Sequence, residues 1–301
     1  MTPREIIAEA WAITRREKSL RRWGMTYSLL ETLLDLKLFS YQAYFLWEYL
    51  QGRQSGFFDV EVLLYEAVPF WFFLTFVISL TLLIVVELFI PHMAQGAIIG
   101  LAAKSHQGDE LKGGFLLAIY NFVPLFAIHE IFVLASTTTS ITVISLIFRY
   151  VDSSFHIPLI IGVVLMWGVS NIIKFFASFA QPAVVVRRMS VAAALGQSFK
   201  FIVSYLNHVM FLLLLLFVIS IRIIINLVTV LLIPGIAMGI GFLLAFFLST
   251  ALSVMIAVII SVGLVLLASY FFANLHVFKA AVWTVAYIEL SKKKDLSVIM
   301  D

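Results

Sequence analysis

The sequence predicts an all-α, polytopic transmembrane bundle of about six spans, built as three helical hairpins with interfacial helices at the cytoplasmic surface. Three observations carry this expectation. Of the 301 residues, 62% are hydrophobic and only 12% charged. Several apolar runs exceed the ~18 residues that mark a membrane span. Lysine and arginine are distributed unevenly among the connecting segments, as in proteins whose orientation follows the positive-inside rule. A soluble core of this length has no room for so much Leu, Ile, Val and Phe. The absence of cysteine excludes disulfides, thiolate metal sites and cysteine nucleophiles. The net charge of +3 is small, and the basic residues are not interleaved with stacking aromatics, so no nucleic-acid partner is expected.

The opening stretch "MTPREIIAEAWAITRREKSLRRWG" carries charges throughout, unlike a secretory signal, and is expected to remain as a cytoplasmic amphipathic helix over residues 1–24. Thr2 as N-cap, Pro3 in the first turn and Glu5 reaching back make a capping box. Ile6, Ile7, Ala10, Trp11 and Ile13 form its apolar side, with Glu5, Glu9 and Arg16 opposite. Spans are expected near 25–50, 66–90, 113–147, 157–185, 207–233 and 251–286, within one integral membrane domain whose bundle covers 25–290 and whose basic tail covers 291–301.

Between the second and third spans, "QGAIIGLAAKSHQGDELKGG" reads as a weaker interfacial segment ending in a turn. Residues 186–208, "VRRMSVAAALGQSFKFIVSYLNH", are too polar to cross a bilayer and too apolar for a loop. On a helix, Val191, Leu195, Phe199, Ile202 and Leu206 share one face, which predicts an interfacial helix seated in the lipid boundary. Trp11, Leu195, Phe199 and Ile202 are the expected lipid-facing side chains. The three segments begin near positions 4, 95 and 190, a topological repeat with almost no residue identity between copies. The plainer alternative is that any six-span protein has three such segments.

Six basic residues precede the first span, and nine more fall in the segments on the same side; only Arg53 and Arg149 fall on the other. That asymmetry sets both termini in the cytoplasm, for a multi-pass protein of the plasma (inner) membrane, and requires an even number of spans. Residues 207–288 are therefore divided into two spans. Residues 236–250, after Pro234 and Gly235, are left as a re-entrant segment, an extension of the last helix or part of an extra span.

Three motifs carry a family resemblance. "QPAVVVRRMSVAAALGQSFKFI" is similar to a P-A-x-V-x-E segment followed by A-L-x-x-S-x-x-L, through Pro182, Ala183, Val185, Ala194, Leu195 and Ser198. The N-terminal entry matches through Ala10, Trp11, Lys18, Trp23 and Gly24, and the closing "TVAYIELSKKKD" through Tyr287, Glu289 and Leu290. Together they resemble the membrane domain associated with some bacterial glycerophosphoryl diester phosphodiesterases, and six-span proteins related to it. The family often has a glutamate where this chain has Arg187 and Arg188, so no role of that glutamate is carried over to this chain. The soluble phosphodiesterase domain has no counterpart in these residues. The resemblance implies a fold and a membrane location and little about activity.

Charged side chains in the spans are the candidate functional residues, because each costs roughly 2.5–3.5 kcal/mol at mid-bilayer unless a partner or a wet cavity receives it. They are Glu31, Asp35 and Lys37 in the first span, His129 and Glu130 in the third, Lys174 in the fourth, and Arg222 with Asn226 in the fifth. Glu87 lies near the end of the second. Glu31 and Asp35, four residues apart and flanked by Tyr27 and Gln42, must look into the bundle. They define a polar path or an amphiphile headgroup site, with Lys174 and Arg222 supplying positive charge. The simpler reading is that these acids pair with Lys174 and Arg222 to fix helix order.

His129-Glu130 lacks the second histidine of a metalloprotease motif, since position 133 is Val. The other histidines are scattered, so no metal and no cofactor is expected. Gly168-Val169-Ser170 has no assignable base, and no catalytic constellation is found. The expected function is a non-enzymatic bundle that binds lipids or organises the membrane or partner proteins. Its expected partners are membrane lipids and, secondarily, other membrane proteins. The alternative is a transporter or channel for a small solute or amphiphile that uses the intramembrane charges.

Overall fold

A computed structural model describes residues 1–53, 56, 58–214, 217, 236 and 239–293, and all regular structure among the described residues is helical. The helices are α1 (Pro3–Arg16), α2 (Lys18–Leu50), α3 (Asp59–Ala67), α4 (Phe70–Gln107), α5 (Gly114–Ile131), α6 (Thr137–Tyr150), α7 (His156–Phe176), α8 (Ala180–Arg187), α9 (Val191–Ser204) and α10 (Thr250–Lys293). Phe70–Gln107, Gly114–Ile131, Ser153–Arg187 and Thr250–Lys292 are long and apolar enough to cross a membrane. The first expected span lies within α2, whose charged residues lower its hydropathy. Only the start of the fifth expected span is described, residues 206–214 being helical; Arg222 and Asn226 lie outside the described residues.

The capping box forms as its residues dictate: Glu5 N–H donates to Thr2 Oγ1, and Thr2 N–H donates to Glu5 Oε2 at 2.8 Å. The third expected span, however, is broken. After α5 the chain makes a short 3-10 turn over Val133–Ala135 and restarts as α6, because Ser136 acts as an N-cap and accepts from Thr139 N–H. Asn171 of α7 donates to the Ala135 carbonyl at 3.1 Å, satisfying one backbone group that the break exposes. A second break separates α7 from α8. There the Ser198 hydroxyl of α9 accepts from Phe179 N–H at 3.0 Å and donates to the Phe176 carbonyl at 2.7 Å.

Most of the packed core gathers at one end of the bundle, where α2 begins and α4 and α10 finish. Ile6, Ala10 and Ile13 of α1 pack there with Ile98 and Leu101 of α4, Ala180 and Ala183 of α8, Phe201 and Ile202 of α9, and Val282, Val285 and Tyr287 of α10. This basal layer is tied by polar clasps. Glu289 meets the Met1 ammonium at 3.7 Å, His106 Nε2 at 3.0 Å and Lys292 Nζ at 2.8 Å. Arg16, Glu17 and Ser105 form a triangle of bonds between 2.8 and 3.0 Å. Beyond this layer the same helices turn large apolar side chains outward, including Trp71 and Leu82 of α4 and Ile259 and Val262 of α10. At ~1.5 Å per residue, α4 spans about 57 Å and α10 about 66 Å. Each is roughly twice the ~30 Å hydrocarbon core, which leaves length for both a membrane section and the basal layer.

Several expectations are corrected by this packing. Residues 95–107 are no separate interfacial helix; they are the last turns of α4, with Ile98, Ile99, Leu101 and Ala102 buried in protein. The apolar side of α1 faces the basal core. On α9 the expected lipid face divides: Ile202 is fully buried, Leu195 packs partly against the core, and Phe199 stays exposed. The small side chains Ala194 and Ser198 allow α9 to approach α8 closely, and that contact turns Ile202 inward. Trp11 is half exposed, with its ring edge against Phe278. Residues 239–245 are helical but end in a turn, and a Cβ on Gly241 would stand 3.3 Å from Ala257 Cβ. The segment therefore folds back beside α10 and is not an extension of it.

Helix contact depends on a few close approaches. A Cβ at Gly24 of α2 would overlap Val277 Cγ2 and stand 3.1 Å from the Ala273 carbonyl of α10. Gly96 and Gly100, one turn apart on α4, meet Asn121 and Leu117 of α5 in the same way, a small-xxx-small contact of the kind that drives helix pairing in lipid. Gly24→Ala is expected to overpack the α2–α10 seam and to lower stability by about 1–3 kcal/mol. Reversible unfolding in mixed micelles measures this, and an unchanged midpoint would contradict the seam.

Candidate functional site

Where α2, α4, α5, α7, α8 and α10 diverge above the basal layer, they enclose a cavity of about 570 Å³. Its polar lining follows from helical periodicity. Tyr27, Glu31 and Asp35 repeat every four residues and form a stripe on α2; His92 and Gln95 lie three apart on α4; His276 and Lys279 lie three apart on α10. Lys174, near the end of α7, and Gln181, on α8, complete the wall on the side of the second helix break. The first break also opens here, through Phe132 and Ser136.

Each carboxylate has a hydroxyl partner. Tyr27 Oη donates to Glu31 Oε1 at 3.1 Å, and Thr138 Oγ1 of α6 donates to Asp35 Oδ1 at 3.0 Å. The amides and one imidazole form a relay: His276 Nε2 lies 2.5 Å from Gln95 Oε1, and Gln95 Nε2 donates to Gln181 Oε1 at 3.0 Å. The His276 ring also stacks on Tyr27, with centroids 3.6 Å apart, one turn beyond the Gly24 contact that brings α2 and α10 together.

The two ammonium groups stand apart from this network. Among the described residues, neither Lys174 nor Lys279 has an ion pair or a side-chain hydrogen bond, although both lie within electrostatic range of Glu31. Both keep accessible surface on the cavity wall, as Glu31 does. The cavity thus holds two formal positive and two formal negative charges with no direct pairing between them. In a low-dielectric surrounding such an arrangement is tolerable only if water or a ligand solvates it.

The structure sorts the sequence candidates. Glu31, Asp35, His129 and Lys174 converge on the cavity, but the expected direct pairing of the acids with Lys174 is absent. Lys37 does not join them. Its ammonium is paired with Glu87 Oε2 of α4; that carboxylate is fully buried, and its Oε1 has no hydrogen-bond partner among the described residues. Glu130 is half exposed and does not line the cavity; its Oε1 lies 3.3 Å from His129 Nδ1. Sequence reading missed His92, Gln95, Gln181 and His276, and counted Lys279 among the cytoplasmic bases. The signal was present in their spacing by three and four. Where the sequence scatters the histidines, the fold brings His92 of α4 beside His129 and Glu130 of α5, with one possible ligand atom from each within 4.8 Å of the others.

The Lys37–Glu87 pair is a structural tie between α2 and α4. Lys37→Ala leaves a buried carboxylate unpaired and is expected to cost about 3–5 kcal/mol, whereas Lys37→Met combined with Glu87→Met is expected to be neutral or stabilising. Unfolding midpoints of the two variants test this, and equal losses in both would contradict a purely structural role.

No protein-family model matches the chain, and comparison with curated proteins and with solved structures finds no match.

Proposed function

We propose that the protein is a non-enzymatic component of the plasma (inner) membrane, with both termini cytoplasmic, that binds a phospholipid-like amphiphile inside its bundle. The carrying observation is the pair of lysines, Lys174 and Lys279, exposed on the cavity wall without a direct counter-ion among the described residues. An anionic phosphate supplies the missing charge, and its oxygens accept from both ammonium groups. Glu31 and Asp35, across the wall, suit an amine at the other end of a zwitterionic headgroup. The volume, about 570 Å³, lies within the ordinary range for small-ligand sites. The outer faces of the helices are apolar beyond the basal layer, which suits the acyl chains of such a ligand. The excess of Lys and Arg in the expected cytoplasmic segments supports the orientation.

A second reading, transport of a small solute or amphiphile, is favoured by one observation: the break between α5 and α6 opens on the cavity. Discontinuous helices at a polar site near mid-membrane recur in transporters. The outward path differs from that of a binding protein only in whether the ligand leaves on the opposite side.

The test is native mass spectrometry of protein released from nanodiscs containing phosphatidylethanolamine and phosphatidylglycerol. Wild type is expected to retain one phospholipid, and Lys174→Gln with Lys279→Gln to reduce its occupancy about 30-fold, at ~1 kcal/mol for each charge. Equal retention in both would overturn the binding reading. Solute flux into proteoliposomes that is lost in Glu31→Gln, with lipid retention unchanged, would favour transport.

A further inference from the structure

His92, His129 and Glu130 present a different chemistry from the lysines, and they come from two helices. One ligand atom from each lies within 4.8 Å of the other two. The two imidazole centroids are 4.3 Å apart, and His129 Nδ1 is 3.3 Å from Glu130 Oε1. Two ligands held ~2.1 Å from a tetrahedral divalent ion stand about 3.4 Å apart. The His129–Glu130 separation of 3.3 Å is close to that value, and the His92 ligand atom lies within 4.8 Å of both.

Among the described residues, none of the three side chains has a hydrogen-bond partner outside the trio. Two imidazoles packed ring against ring with no shared acceptor make a poor structural contact, but they are suited to a common cation. A carboxylate exposed in an otherwise apolar helix likewise calls for a counter-charge. The helices are held for this purpose one to two turns away, where Gly96 and Gly100 of α4 bring its backbone against α5.

We propose that His92, His129 and Glu130 bind a divalent transition-metal ion of the zinc class, with a coordination position open toward the intramembrane cavity. Two nitrogen donors and one carboxylate favour Zn²⁺, Co²⁺ or Ni²⁺ over Mg²⁺ and Ca²⁺, which prefer all-oxygen shells. Three protein ligands leave a tetrahedral ion one free position. Because His92 and His129 both line the cavity, that position faces the space in which the lysines stand. The ion clips α4 to α5 immediately before the break that begins at Phe132. This proposal does not depend on the headgroup reading, since the three ligands and the two lysines are separate groups.

The experiment is a Co²⁺ titration of tag-free, chelator-stripped protein in nanodiscs, followed by visible ligand-field absorption and by competition with Zn²⁺ and Mg²⁺. One equivalent of Co²⁺ is expected to bind, to be displaced by Zn²⁺ and not by Mg²⁺. His92→Gln and His129→Ala are each expected to weaken binding about 100-fold or more, at least as much as losing an outer-sphere partner does. His208→Ala, away from the cavity, leaves binding unchanged. Glu130→Gln, at a half-exposed position, keeps the fold and is expected to weaken binding and shift the absorption. Absence of Co²⁺ binding in wild type, or unchanged binding and spectra in Glu130→Gln and His129→Ala, would overturn the site.

Discussion

A charge surrounded by hydrocarbon must be solvated, and the arrangement of this bundle follows from that requirement. Two carboxylates, Glu31 and Asp35, and two ammonium groups, Lys174 and Lys279, line one cavity between the helices. Direct pairing would have satisfied them in a closed bundle, as it does for Lys37 and Glu87. Here the carboxylates accept from hydroxyl groups, while the lysines have no side-chain acceptor among the described residues, so the helices leave open polar space between them. The two kinds of charge in one membrane section divide the molecule into a tie between α2 and α4 and a receptive cavity.

That cavity is possible because cohesion is concentrated elsewhere. The basal layer buries α1, α8, α9 and the ends of α4 and α10 around Tyr287, Phe179 and Phe201, and its polar clasps join the first residue of the chain to the end of the last helix. Above it, helices need less mutual contact, since lipid covers their outer faces without penalty. The two helix breaks lie where the packed and open regions meet, and each is satisfied by one side chain from a neighbour, Asn171 or Ser198. Broken backbone of this kind is tolerated at membrane depth only where protein or water receives it.

Much of the fold was legible in the sequence because composition and hydropathy report burial in lipid directly. The N-terminal capping box, the helices of the second and fourth spans, the start of α10 and the α2 stripe could all be read from spacing. What could not be read was partnership. The apolar faces of α1 and α9 fit either lipid or protein, and only the packing shows Ile6, Ile13 and Ile202 inside. The α5–α6 break left a signal in Ser136, an N-capping residue inside an apolar run, but the run's hydropathy masked it. His92 and Lys279 looked like interfacial residues because their depth depends on the length of α4 and α10 beyond the bilayer. Close approach at Gly24 likewise appears in sequence only as a glycine.

The central claim is that water reaches the charged cavity within the membrane section. Because the chain has no cysteine, single cysteines introduced into protein in nanodiscs report on this directly. The measurement compares Ser178→Cys, on the cavity wall, with Val262→Cys, on the exposed apolar face of α10. A small charged thiol reagent should modify the first and leave the second unreacted, because only a hydrated thiol forms the reactive thiolate. Equal inertness at both positions would mean that the cavity is dry and closed, and the account of the charges would fail.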